Sequence, residues 1–298
     1  MTNKIRISGV FLAILLCTGV YTYGQQAPVI SHFFQQEYLF NPAHIGKGEN
    51  KGIDALLRRP VGSNKDVMRE SYLYGMYGFG KHGAGVGFNM NNNGIFKHTE
   101  VGMMYAFHLR LDEAGNTLSM GTNVQYEQDQ VDIDAVRGDL ADPRFDDYDR
   151  SGFDANIGLA YTSSHISVNV AVNNLFTQGN DYLMQLTPNL YGNIRYRIAV
   201  QDMEVTPMVA YRQVPKKGRH TEDNTELDPR NIVDFGVSAA WNNQFAIYAM
   251  YNTERSASLG LSAAFQRFEV QVGYTMPPAD VRRVGIHGMD IGLRYRWQ

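Results

Sequence analysis

The chain has 298 residues, of which 44% are hydrophobic and 19% charged, with a formal net charge of −3. That balance excludes a disordered chain and gives no basis for a nucleic-acid partner, which calls for a basic surface. The 18 Tyr, 15 Phe and 29 Gly lean toward β-structure cut by tight turns.

Residues 1–24 read as an export signal. Lys4 and Arg6 form a basic start, residues 10–20 an apolar stretch, and Thr22-Tyr23-Gly24 a cleavage site before Gln25. The apolar stretch is shorter than the roughly 20 residues that a membrane-spanning helix needs. Cys17, the single cysteine, lies inside this segment, and Leu16 before it is too large for a lipoprotein signal. A mature chain without cysteine has no disulfide and no thiol chemistry. Loss of Lys4 and Arg6 leaves a net charge of −5.

Residues 25–51 form a segment of their own. Phe33, Phe34, Tyr38, Leu39 and Phe40 are apolar but do not alternate, and Asn41-Pro42-Ala43 with Gly46 fixes a turn rather than a strand. Such a segment is too apolar to stay uncovered in a periplasm. The expectation is that its aromatics dock in the periplasmic half of a lumen, as a plug, or on a periplasmic partner.

Residues 52–298 are a series of alternating segments. Strands are predicted at 52–59, 70–79, 83–91, 98–110, 117–128, 153–162, 165–173, 188–199, 203–213, 231–241, 244–252, 256–265, 267–276 and 287–297. In 166–173, for example, Ile166, Val168, Val170 and Val172 alternate with Ser167, Asn169, Ala171 and Asn173. Many of these segments run about ten residues, the length of a tilted transmembrane strand, where strands of soluble proteins average about five or six. No apolar run beyond the signal approaches helical spanning length, so a membrane reading must be a β-barrel. The fold class expected is all-β: a transmembrane antiparallel β-barrel of about 14 strands in an outer membrane.

The connections alternate in length. Those at 80–82, 112–116, 163–164, 201–202, 242–243 and the Gln266 corner are short. Those at 60–69, 92–97, 129–152, 174–187, 214–230, 252–255 and 277–286 form the other set, with 252–255 short for its class. Outer-membrane barrels place short turns on the periplasmic side and long loops outside. Aromatics at segment ends, among them Tyr72, Tyr74, Tyr77, Phe79, Trp241, Phe245, Phe265, Phe268, Tyr295 and Trp297, suit interfacial girdles. The last segment sets Met289, Ile291, Leu293 and Tyr295 on one face and Asp290, Arg294 and Arg296 on the other. A barrel would turn the first set to lipid.

Chemical motifs are sparse. The eight histidines show no His-x-x-x-His or His-Glu-x-x-His spacing, and there is no Gly-x-Ser-x-Gly elbow. His108, Ser119 and Asp290 can be written as a triad, but any barrel offers such triples. The acidic 129–152 loop offers carboxylates for calcium without EF-hand spacing and reads as a solvated surface loop. Its Arg137-Gly138-Asp139 is a tripeptide short enough to arise by chance. The 214–230 loop sets a basic block beside an acidic one. Arg110, Gln125, Glu127, Asn193, Arg195, Arg197, Arg294 and Arg296 face inward and would line a pore. No catalytic, cofactor or metal site is expected.

The mature start, QQAPVISHFFQQEYLFNPAHIGKGEN, resembles that of the PorP/SprF family of Bacteroidetes type IX secretion and gliding proteins. The Asn-Pro-Ala-x-x-Gly half is intact at residues 41–46, while His32-Phe33 departs from the family's Ser-Gln-Tyr region. The resemblance implies a non-enzymatic outer-membrane component that supports secretion or surface attachment of cargo. Its partners would be other secretion components in the outer membrane and periplasm, the cargo, and outer-membrane lipid. The alternative is a porin-like diffusion channel for small solutes.

Overall fold

The computed structural model describes residues 36–61, 69–93, 96–131, 150–176, 188–214, 230–242, 244–276 and 287–297. The export signal, Phe33, Phe34 and most of the 129–152 and 214–230 loops lie outside the described residues.

Among the described residues fifteen strands form one sheet: β1 (Lys51–Val61), β2 (Arg69–Phe79), β3 (His82–Asn93), β4 (Phe96–Arg110), β5 (Thr117–Val131), β6 (Arg150–Thr162), β7 (Ile166–Asn173), β8 (Asn189–Tyr196), β9 (Ile198–Val200), β10 (Met203–Val214), β11 (Arg230–Trp241), β12 (Phe245–Asn252), β13 (Ala257–Phe265), β14 (Phe268–Met276) and β15 (His287–Arg296). Neighbours in sequence pair antiparallel, except that β8 and β9 both pair with β10 and not with each other. β15 returns to β1 in register from Gly52↔Arg296 to Val61↔His287, so the sheet closes on itself. β8 and β9 are two pieces of one stave, giving fourteen staves around the wall.

The break between β8 and β9 falls at Arg197, where a continuous strand was predicted. Met208 pairs with Arg195 and Val205 with Ile198, so the register is unchanged across it and Pro207 stands opposite Tyr196. Proline has no N–H to give to the ladder, so the stave loses a rung without shifting.

The two faces of the wall are inverted relative to a water-soluble protein. Met103 is 73% exposed and Leu261 60%, both on the outer face. Among the most deeply buried side chains are Glu70, Asp54, Asp154, Asn169 and Gln271, all on the inner face. A soluble sandwich would hide the first set and expose the second. An apolar exterior around a polar interior is the pattern of a membrane barrel. β15 obeys it: Met289, Ile291 and Leu293 face out, while Asp290 and Arg294 are buried inside.

Both ends of the barrel chain, Lys51 and Arg296, lie at the rim that also carries the tight turns. Gly80, Gln201, Asn242 and Gln266 hold positive φ there, which gives the left-handed backbone that tight hairpins need. At the opposite rim β3 ends at Asn93 and β4 begins at Phe96, so that connection is shorter than the sequence suggests. Rings gather at the tight-turn rim. Phe268 lies 4.9 Å from Tyr295, Tyr295 5.9 Å from Trp297, and Phe79 5.5 Å from His82. Tyr72 and Tyr74 are not part of that girdle, because they face the lumen.

Candidate functional site

The lumen is not empty. Residues 36–50 run through its tight-turn half as three single turns of 3-10 helix, Glu37–Leu39, Pro42–His44 and Lys47–Glu49. The local sequence explains the path. Asn41 is extended and its side-chain oxygen accepts from the Ala43 N–H at 2.9 Å, while Pro42 opens the second turn with its φ already set. Gly46 then takes φ +64°, which reverses the chain at low cost for a residue without Cβ.

The wall is shaped to this segment. A Cβ on Gly158 would overlap the Asn41 amide, and one on Gly121 the Pro42–Ala43 backbone. On Gly83 it would strike the Ile45 carbonyl, and on Gly85 it would lie 2.8 Å from the Ile45 side chain. Conversely, a Cβ on Gly46 would lie 2.6 Å from the Gly83 Cα. Four lumen-facing glycines thus form the seat of the Asn41–Gly46 motif. Asn41, Ala43 and Ile45 are fully buried there.

Polar bonds fix the register. The Asn41 amide donates to the Leu159 carbonyl at 2.9 Å and to the Val170 carbonyl at 3.4 Å. The Tyr38 hydroxyl donates to Asp54 at 2.6 Å, and Asp54 also holds Arg294, which reaches Glu269 at 3.2 Å. Glu37 pairs with Arg195 and, at 2.9 Å, with His44. The same His44 nitrogen lies 2.6 Å from the Asn169 oxygen, so it carries the proton. Lys47 donates to Thr162 at 2.5 Å. Phe40 stacks on Tyr191 at 5.3 Å and Tyr38 lies 5.2 Å from Tyr74.

Burial pushes the Glu37 carboxyl up, but His44 and Arg195 outweigh it and hold the group well below the usual carboxylate range. Burial lowers the Lys47 ammonium pKa, with Glu37 opposing and Arg197 and Arg195 adding to the shift. Burial, then Asp54, keeps the Tyr38 phenol neutral and thus a donor.

The segment divides the lumen into two chambers. One of about 520 Å³ lies at the tight-turn rim, with Lys47, Arg195, Arg197, Arg294 and Arg296 against Glu37, Asp54 and Glu204. One of about 280 Å³ lies on the far side, floored by Tyr38, Leu39, Phe40 and Pro42.

Of the residues singled out from the sequence, Tyr38, Phe40, Asn41, Pro42, Ala43 and Gly46 all lie in this lumen segment, while Phe33 and Phe34 are outside the described residues. Arg195 and Arg294, read as pore lining, are tied up in ion pairs. Sequence reasoning missed Glu37, His44, Ile45 and Lys47 on the segment and the four glycines on the wall. Glycines at inward positions of β3, β5 and β6 were the available signal, because glycine in a strand marks a close approach by something else. His108 and Ser119 do touch, at 2.9 Å. The other His108 nitrogen is spent on the Ile45 carbonyl and Asp290 on Arg58, so these three do not form a triad. Among the described residues no group of three or more His, Cys, Asp or Glu is placed to hold a metal.

Among solved structures the chain is similar in fold to the CymD monoaromatic hydrocarbon channel, at 12% identity over 88% of this chain and 93% of that one, with a TM-score of 0.56. It is also similar to the TodX deltaS2S3 mutant monoaromatic hydrocarbon channel, at 8% identity over 88% and 94%, with a TM-score of 0.53. No curated protein sequence matches it. The family model described as type IX secretion system membrane protein PorP/SprF matches residues 22–276. The chain therefore belongs to the PorP/SprF family of type IX secretion system membrane proteins.

Proposed function

We propose that this protein is a non-enzymatic outer-membrane component of the type IX secretion and gliding machinery that supports secretion or surface attachment of cargo proteins. Residues 1–24 direct export, the tight-turn rim faces the periplasm, and residues 25–51 close the lumen from that side. Other secretion components in the outer membrane and periplasm meet the rim, and lipid covers the wall. The observation that carries this reading is the seated segment: a diffusion pore has no use for four glycines that hold its own chain across the lumen. Family membership supplies the machinery.

The second reading is a porin-like diffusion channel. It is favoured by the hydrocarbon-channel description of CymD and TodX, and by the chambers on either side of the segment. Deleting residues 27–46 separates the two. No strand is lost, so the barrel should insert. On the secretion reading, export of the cognate cargo stops or a conductance opens in planar bilayers that the intact chain lacks. An intact chain that already conducts, with normal export after the deletion, would establish the channel instead.

A further inference from the structure

The chamber of about 520 Å³ at the tight-turn rim has more cations than its carboxylates hold. Glu37 is spent on Arg195 and His44, and Asp54 on Tyr38 and Arg294. Glu269, outside the lining, takes Arg294 at 3.2 Å and Arg296 at 3.3 Å. Lys47 and Arg197 border the same chamber, and among the described residues neither forms an ion pair. Glu204, the last carboxylate of the lining, accepts from Thr206 at 3.4 Å and reaches neither of them.

The two unpaired heads lie on one edge of the chamber. Lys47 Nζ donates to Thr162 Oγ1 at 2.5 Å, and Arg197 Nη2 donates to the Ser163 carbonyl at 2.7 Å. These acceptors belong to consecutive residues, whose Cα atoms are about 3.8 Å apart. Burial lowers the Lys47 pKa, and Arg197 stands close enough to add to that shift against Glu37. An ammonium has three N–H donors and a guanidinium five, so each head has donors left. Both side chains are half-buried, neither sealed in the wall nor fully in water. A partly desolvated cation without a counter-charge is costly. Residues 25–35, which precede the lumen segment, contain no Asp or Glu, so that stretch does not supply the missing charge.

We propose that the chamber at the tight-turn rim docks an acidic peptide segment of another secretion component, with one of its carboxylates held between Lys47 and Arg197. That carboxylate accepts from the ammonium and the guanidinium together, as charge-assisted hydrogen bonds. The chamber is larger than a lone carboxylate fills, and pockets of roughly 300–1,000 Å³ take drug-sized ligands. The site rests on the secretion reading for its partner, since there the tight-turn rim faces the periplasm and its components.

The test is calorimetric titration of the full-length protein in detergent with acetylated, amidated tri-glutamate, using the matching tri-glutamine and sodium acetate as controls. The acidic peptide should bind saturably, the neutral one should not bind, and acetate at equal concentration should not displace the first. Arg197→Gln and Lys47→Gln should each weaken binding roughly tenfold, the loss of one charge-assisted hydrogen bond. Arg197→Lys keeps the charge and should retain most of the affinity, which separates a lost charge from a disturbed wall. Arg110→Gln removes a guanidinium at the same rim that bonds its own turn through the Asp112 and Glu113 carbonyls, and should change nothing. Equal binding of the neutral peptide, displacement by acetate, no saturable heat, unchanged affinity in both Gln variants of the pair, or an equal loss in Arg110→Gln would each overturn the proposal. Export lost on deleting residues 27–46 with no peptide bound by the intact chain would sink this site alone. A chain that binds the peptide, already conducts and exports normally after the deletion would sink the secretion reading alone.

Discussion

The two halves of the lumen are built from the same strands yet solve opposite problems. In the tight-turn half, polar side chains of the wall find partners on residues 36–50: Asp54 on Tyr38, Arg195 on Glu37, Asn169 on His44, His108 on Ile45. In the far half, carboxylates and amides bond mainly to one another and leave the Asn89 and Asn123 oxygens over. The lesson is that inward polarity alone does not describe a lumen; what differs is whether the wall's polar groups bond to the segment that crosses it or to one another.

The largest break in that comparison comes from filling the seat. Gly158→Leu or Gly121→Val places atoms where Asn41 and Pro42 now lie. Overpacking of a tight core costs about 1–3 kcal/mol or more, and here it is relieved by expelling the segment. The variants should still insert but gain conductance in planar bilayers. Gly75→Ala, whose Cβ would meet only a Val86 methyl at 3.7 Å, should remain closed. A Gly158→Leu barrel that stays closed would mean that the lumen is blocked by something other than the segment.

Next in size is the contrast between the wall's two faces. Arginine at Val170 or Val270, on the outer face, should cost roughly 2–4 kcal/mol in reversible unfolding from lipid or detergent. Arginine at Ser238, which borders the larger chamber, should cost far less. The lumen face is not uniformly tolerant. Asn169 faces inward but bonds both His44 and Asn193, so arginine there should disturb the fitted segment as well. Equal costs at Val170 and Ser238 would contradict a lipid-facing exterior.

The third contrast is set by pH. The folded-state pKa of Glu37 lies below its ordinary value of 4.5. Its contribution to docking is therefore complete above 4.5 and is lost only as pH falls through the lower folded value. Conductance should stay absent in mild acid and appear only on stronger acidification. Glu37→Gln should remove that Glu37-dependent acid step and weaken docking already at neutral pH. A wild-type opening at or above the ordinary carboxylate range would show that Arg195 and His44 do not hold Glu37 as the geometry indicates.

The wall was legible in the sequence because period-two alternation and turn chemistry are local. Val170 against Asn169 needs no knowledge of the rest of the chain. The break at Arg197 was not legible, since its cause, Pro207, acts across the ladder from another strand. The lumen segment was half legible. Asn41, Pro42 and Gly46 announce a turn through backbone chemistry, but Glu37 and His44 look like any solvated pair until Arg195 and Asn169 are brought to them from more than a hundred residues away. Tyr72 and Tyr74 were read as girdle because ring clustering along a strand does not by itself say which face is meant.

The smallest effect tests how finely the segment is fitted. Tyr38 gives one hydroxyl to Asp54, and Arg294 binds the same carboxylate through Nε at 2.9 Å. Tyr38→Phe removes the donor but leaves the ring against Tyr74 and leaves Asp54 paired. The loss is therefore one hydrogen bond to a charged acceptor, about 1.5–3 kcal/mol at most, reduced because Arg294 remains to satisfy the carboxylate. The segment should stay seated and the lumen closed, with only a modest fall in unfolding stability. Asp54→Asn on the same bond should cost more, because it removes the closer of Arg294's two carboxylate partners, though less than the roughly 3–5 kcal/mol of a fully broken buried pair, since Glu269 stays 3.2 Å from Arg294. If Tyr38→Phe instead opened the lumen as fully as Gly158→Leu, the segment would hang on a single bond and the glycine seat would not be what holds it.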